Sequence, residues 1–277
     1  MIALILFSIT KIYEKRLSNK EIQTINNYEP FKKVNNFKQE NSERYIRYYE
    51  KNKNLNYEEV VTYVNIGLDY GFYNYITNSD ISKNNLILVN KYLKLNKDYV
   101  PKNLEEINSK YFIKGNKNVR LLKKEAKEAF ERLSEDSIKN GTPVYGQSAY
   151  RSYEKQEILY NNAVIKNGTS IADSDTARKG HSEHQTGLSI DVSSNKQGNM
   201  LNFDRTNSFY WMKNNAHKYG FILRYPKGKE HITGYAYESW HYRYVGKKVA
   251  KNMHDNYSNL TFDEYYYKFI EKKRHKS

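Results

Sequence analysis

No cysteine occurs among the 277 residues, which removes disulfides, thiolate metal ligands and a cysteine nucleophile together. Proline and tryptophan are scarce, at 4 and 2 residues. The apolar run at the start, Ile2 to Ile9, is eight residues long with no basic stretch before it, far short of the roughly 20 residues that span a bilayer. Two readings of it stand: a buried first strand or helical turn, or the trailing part of an export anchor that begins upstream. Also missing are GxxxxGKS/T, a strand-linked GxGxxG and GxSxG, so a phosphate-cradling loop, a dinucleotide fold and a nucleophile elbow have no footing.

Charged residues make up 28% and hydrophobic ones 38%, a globular rather than a disordered balance. The 28 tyrosines, with abundant Asn and Lys, fit codon bias in an AT-rich genome and carry no argument for base stacking. A formal net charge of +15 attracts polyanions at long range. Lys and Arg are scattered from Lys11 to Lys276 without a nucleic-acid module or a concentrated basic helix, so no specific nucleic acid is expected. An anionic wall polymer or membrane surface remains a partner.

Along the chain, residues 16–80 read as a basic stalk with a small helical arm, in which Asn56 and Glu59 form a capping box ahead of Val60, Val61 and Val64. The LILVN stretch after Asn85 suggests a short strand. Leu122, Ala126, Ala129, Phe130 and Leu133, at spacings of three and four, predict a helix over 121–133. Residues 144–149 read as a strand, Ser152 as the cap of a helix carrying Gln156, and 167–180 as a loop. Leu188, Ile190 and Val192 alternate with Ser189, Asp191 and Ser193, predicting a strand with Asp191 on the face opposite the apolar set. A helix over 208–219 ended by Gly220, strands at 221–225 and 240–245 with a turn-rich loop between them, and a terminal helix over 262–270 complete the order. Mixed helices and strands with hairpin-capable loops favour an α+β fold with a small antiparallel sheet flanked by helices. The expected divisions are 1–15 (truncated anchor), 16–80 (arm), 81–260 (principal domain) and 261–277 (helix and basic tail).

The segment HSEHQTGLSID, 181 to 191, and Glu238-Ser239-Trp240-His241 can together build one metal site. His184, Asp191 and His241 would be three ligands, leaving one position open, as in catalytic rather than structural zinc sites. Glu238 would be the unligated base. Taken alone, the first segment is better explained by a surface histidine before a strand and an ordinary solvated carboxylate. In an unbent strand, positions 238 and 241 face opposite sides, so both serve one site only if Glu238 precedes the regular strand or a bulge re-aims it. Arg151 offers a planar fork for a terminal carboxylate, with Gln156 and Ser182 as further contacts. His181 belongs to the rim, and His217 and His231 are read as structural.

YRSYEKQ (150–156), HSEHQTGLSID (181–191), NNAHKYGFILRYPKGKEHITGY (214–235) and ESWHYRYVG (238–246) resemble the VanY-like branch of the zinc D-alanyl-D-alanine carboxypeptidases over roughly 84–250. The family's SxHxxGxxxD falls on Ser182, His184, Gly187 and Asp191, and its ExxH on Glu238 and His241. The resemblance implies a Hedgehog/DD-peptidase type of fold, zinc held by His184, Asp191 and His241, Glu238 as catalytic base, and Arg151 gripping the substrate carboxylate with Gln156 and Ser182. It implies an extracytoplasmic enzyme that trims the terminal D-alanine from peptidoglycan stem peptides. Lys179, where the family has Pro, and His181, where it has an aromatic such as Tyr, depart from the pattern on the loop entering the site. D,D-carboxypeptidase activity is the first expectation, with L,D-carboxypeptidase, endopeptidase and a wall-binding module without chemistry as alternatives.

Overall fold

The computed structural model describes residues 29–113, 120–198 and 202–271. Both the Ile2 to Ile9 stretch and the basic end from Lys272 lie outside them. The chain divides into two compact units, residues 1–69 with 267–277, and residues 70–266. Among the described residues no helix is long and apolar enough to cross a membrane.

In the first unit, α1 (Ser42–Lys51) and α2 (Tyr57–Ile66) pack around Phe31, Tyr45, Val60, Val61 and Val64. The expected capping box is formed: the Asn56 side chain accepts from the Glu59 amide, and the Glu59 carboxylate accepts from the Asn56 amide, both at 2.9 Å. Gly67, at φ 107°, ends α2 in the left-handed region that a residue without Cβ adopts at low cost.

The second unit begins before the boundary expected at residue 81. β1 (Thr77–Asn78) pairs in parallel with β2 (Leu93–Lys94), tying residues in the seventies to those in the nineties. The LILVN stretch itself forms no strand; Ile87, Leu88 and Val89 are buried as irregular chain, and the strand comes three residues later. β3 (Leu104–Glu106) pairs antiparallel with β4 (Leu121–Lys123). That ladder takes the first three residues of the expected helix, so α3 runs Lys124–Lys139 and buries Ala126, Ala129, Phe130 and Leu133.

The main sheet is wholly antiparallel, with β5 (Tyr145–Ser148), β6 (Ser189–Ser193), β7 (Phe221–Leu223) and β8 (His241–Tyr244) in the order β5-β6-β8-β7. Together with the helices of this unit it makes the α+β architecture expected from the sequence. Leu188, Ile190, Val192, Phe221 and Tyr242 of the sheet region join Leu122, Phe130, Leu133 and Val144 in one core. All five residues of β6 are buried, so the strand is covered on the Asp191 side as well as on its apolar side.

Ser152 caps α4 (Tyr153–Asn167) as predicted, its hydroxyl accepting from the Lys155 amide at 3.2 Å. Gln156 alone of that helix is fully buried. The expected loop over 167–180 contains a short helix, α5 (Thr169–Asp175), with Ala172 as its buried residue. So little apolar periodicity left no sequence signal. Further on come α6 (Asn207–Asn215), a 3-10 turn to Tyr219, and Gly220 at φ 94°. The loop before β8 contains α7 (Glu230–Thr233), and α8 (Lys247–Asn256) follows that strand. α9 (Phe262–Tyr265) starts at a Thr261–Glu264 capping box and leads into a wider turn through Ile270.

A candidate metal centre and its cleft

Three neighbouring strands line up the floor of the site. In their registers Ser148 of β5 stands opposite Asp191 of β6, and Asp191 opposite His241, the first residue of β8. Directly opposed residues in an antiparallel pair hold their Cβ atoms about 5 Å apart, so the ladder itself brings a carboxylate and an imidazole together across a gap of fifty residues. His184 arrives from a 3-10 turn, Glu183–Thr186, which Gly187 closes at φ 67°. A Cβ on Gly187 would stand 2.8 Å from the Leu104 side chain. Close approach of neighbouring chain, rather than of a ligand, therefore requires glycine here.

His184, Asp191 and His241 each offer a ligand atom within 4.8 Å of the other two, and all three are buried. His184 Nε2 lies 3.2 Å from Asp191 Oδ2, and His241 Nδ1 lies 3.0 Å from Asp191 Oδ1. The two rings meet edge-on, with centroids 4.9 Å apart. The far nitrogen of His184, Nδ1, stands 2.5 Å from the Ala149 carbonyl oxygen. A proton held there by that acceptor leaves Nε2 as a free lone pair toward the centre. Two imidazoles and one carboxylate suit a divalent transition metal, zinc among them.

Glu238 precedes β8, because regular pairing starts only at His241. A tight turn, in which the His241 amide donates to the Glu238 carbonyl at 3.3 Å, brings its side chain back to the site. Glu238 Oε2 lies 3.6 Å from His241 Nδ1. This is the condition under which the sequence allowed both residues to share one site.

The charges are strongly coupled to burial. Burial works to raise the Asp191 pKa, but His184 and His241 outweigh it and hold the carboxyl well below its ordinary value. Burial, helped by the Arg151 charge, pulls His184 down to about 4. Burial also opposes the charged form of His241, yet its hydrogen bonds and the Asp191 and Glu238 charges hold it up at about 9. Glu238 is pushed up to about 7 by burial, with Asp191 adding to the rise and His241 opposing it. Separated values of this kind within one cleft occur at functional sites and in buried ion-pair networks alike, so the geometry carries the assignment.

The cleft has a volume of about 470 Å³, within the usual range for small-ligand sites. Arg151 lies along its wall, donating to Asp191 Oδ2 at 3.0 Å, Gln156 Oε1 at 3.1 Å and Ser148 Oγ at 3.2 Å. Gln156 gives its own amide hydrogen to the Ala177 carbonyl at 2.7 Å, so its side chain braces Arg151. Ser182 is buried and lines the same cleft.

His181, expected at the rim, is buried instead, with Nδ1 2.7 Å from the Asn90 carbonyl and its ring edge-on to Tyr73. Its ring faces a smaller neighbouring cavity of about 290 Å³ that also involves Tyr153, Arg178 and Lys179. His231 is exposed. His217 and His254 stack with ring centroids 3.6 Å apart and, with Asp255, form a second group of potential ligands among the described residues. That group lies outside the cleft.

Other cleft residues were not picked out from the sequence: Lys155, Leu159, Asp175, Thr176, Tyr225, Tyr235 and Trp240. Nor was the buried charge network behind it. Glu183 Oε1 accepts from Arg224 Nε at 2.8 Å and Arg243 Nη1 at 2.7 Å, while Arg224 Nη1 donates to Asp263 Oδ2 at 2.6 Å. An arginine inside each of the strand-like runs FILRY and HYRYV was the available signal, since a charge in a buried strand requires a partner.

A family model described as VanY, D-alanyl-D-alanine carboxypeptidase, matches residues 119–247. The putative carboxypeptidase YodJ of Bacillus subtilis is 43% identical over 188 residues, covering 67% of this chain and 68% of that protein. Among solved structures, the LdcB LD-carboxypeptidase aligns with a TM-score of 0.64 at 39% identity, covering 70% of this chain and 91% of that one. A variant of the vancomycin-resistance D,D-pentapeptidase VanY in complex with Zn(II) aligns at 0.55 and 28% identity, covering 65% of this chain and 98% of that one. The match spans β4 through β8 and with them every residue of the His184–Asp191–His241 centre, and the chain belongs to the VanY family of D-alanyl-D-alanine carboxypeptidases.

Proposed function

We propose that the protein is a zinc-dependent carboxypeptidase that removes the terminal D-alanine from peptidoglycan stem peptides. The observation that carries this reading is the convergence of His184, Asp191 and His241 on one point of a cleft that also holds Glu238 and Arg151. His184 Nε2, Asp191 and His241 Nδ1 would hold the ion. Bound zinc supplies Lewis acidity, lowering the pKa of a water and polarising a carbonyl. Glu238 takes a proton from the attacking water and delivers it to the departing amine. A carboxyl poised near neutrality is suited to both halves of that transfer. Arg151, only partly buried, pairs its guanidinium with the substrate's terminal carboxylate. Gln156 acts through Arg151, and Ser182 contacts the peptide from the turn that carries His184.

Arg151 distinguishes a carboxypeptidase from an endopeptidase, because an internal peptide bond presents no carboxylate. A stem pentapeptide ending in D-Ala-D-Ala is expected to lose one alanine, its C-terminal amide to turn over far more slowly, and chelator to stop the reaction. Mass analysis of the products reads all three outcomes. Equal turnover of acid and amide would remove the role given to Arg151. A second reading, L,D cleavage of a tetrapeptide stem, draws on the likeness to the LdcB LD-carboxypeptidase, which exceeds that to VanY in both identity and TM-score. Loss of alanine from the tetrapeptide alone would select it.

The substrate places the enzyme outside the cytoplasmic membrane, at the wall. With a net charge of +15, it should adhere to anionic wall polymer or lipid through screened attraction. Co-sedimentation with isolated walls should fall as salt rises from low to molar concentration. Salt-independent retention would rule that attraction out.

A further inference from the structure

We infer that Glu183 is the positioning residue for His241, fixing which of its ring nitrogens faces the metal; this rests on the zinc reading above. Glu183 is fully buried, and its two carboxylate oxygens have different surroundings. Oε1 takes both arginine bonds, from Arg224 and Arg243. Oε2 has no partner other than His241 Nε2, 3.5 Å away, which is itself buried and has no other. Two orphaned polar atoms facing each other in a dry interior are costly unless they serve one another.

Charge balance does not explain the arrangement. Arg224 and Arg243 are already matched by Glu183 and Asp263, so the network is neutral without His241. What the carboxylate adds is an acceptor on the far side of the ring. With the proton of a neutral His241 held on Nε2 toward Glu183, Nδ1 is the free lone pair, and Nδ1 is the atom that lies 3.0 Å from Asp191. The Ala149 carbonyl does the same for His184 from the opposite nitrogen. One histidine therefore presents Nε2 and the other Nδ1, each set by the acceptor behind it.

Glu183→Gln tests the assignment without changing the shape of the side chain. Its amide oxygen would keep the arginine bonds and turn the NH2 group toward His241 Nε2. That nitrogen must then accept, and the ring proton moves to Nδ1. Measured on the full chain by competition with a chromophoric chelator, the zinc affinity of Glu183→Gln should fall about 10- to 100-fold. Asp263→Asn disturbs the same charge network away from His241 and should keep zinc affinity within about twofold while lowering the unfolding midpoint. In the zinc-loaded wild type, nitrogen NMR of the histidine rings should find His241 protonated at Nε2. This second reading does not depend on any variant folding. Wild-type affinity in Glu183→Gln, or a His241 bearing no proton on Nε2, overturns the role of Glu183 alone. A wild type that binds no zinc overturns the zinc reading together with it.

Discussion

Glu238→Ala is expected to keep its zinc and to lose about 10²- to 10⁴-fold in turnover of a stem peptide, the span that general acid–base groups contribute. The two halves of that result come from different features of the site. Retention of metal follows from position: Glu238 comes before β8 and is not one of the three mutually close ligand residues His184, Asp191 and His241, although its Oε2 approaches His241 Nδ1 to 3.6 Å. Loss of rate follows from its environment, since burial pushes the carboxyl up to about 7, where one group can both accept and return a proton. His184→Ala should behave differently, losing metal and turnover together. Metal content by atomic absorption, set beside initial rates, separates the two classes. A Glu238→Ala protein that loses zinc as readily as His184→Ala would make Glu238 a ligand and leave the site without its base.

Arg224→Met should cost about 3–5 kcal/mol of stability, the usual penalty for removing one partner of a buried ion pair. Both of its partners are as buried as it is: Glu183 at 2.8 Å and Asp263 at 2.6 Å. Without the guanidinium, Asp263 keeps its bond from Asn90 Nδ2 at 2.8 Å but faces no opposite charge in that network. Glu183 keeps Arg243. The network thus joins β8, the His184 turn, α9 and the residue after β7 through three buried ion pairs. Urea unfolding monitored by tryptophan fluorescence should show the loss as a lower midpoint. A change under about 1 kcal/mol would mean that water or a neighbouring group satisfies Asp263 instead.

The gathering of His184, Asp191, His241 and Glu238 in one cleft was legible in the sequence because they come in two local blocks: HSEHQTGLSID holds a turn and a strand in consecutive residues, and ESWH sets Glu238 at the entry to the next strand. The register that places Asp191 opposite His241 was not legible, since strand pairing is a long-range choice made by the whole core. Helix α5 was missed for a different reason. Its TSIADSD sequence buries one residue, so its position depends on tertiary contacts rather than periodicity. The start of α3 moved from Leu121 to Lys124 because β3 claims the intervening residues. Glu183 illustrates the limit most clearly, for nothing in HSEH sets its glutamate apart from a solvated one until Arg224 and Arg243 are seen to close on it.

Anomalous diffraction from crystals of the zinc-loaded protein, recorded on both sides of the zinc absorption edge, bears most directly on the whole account. One peak bounded by His184 Nε2, Asp191 and His241 Nδ1, with Glu238 beside it and unligated, is the predicted result. A peak absent from that position, or present only at another cluster such as His217, His254 and Asp255, would contradict it.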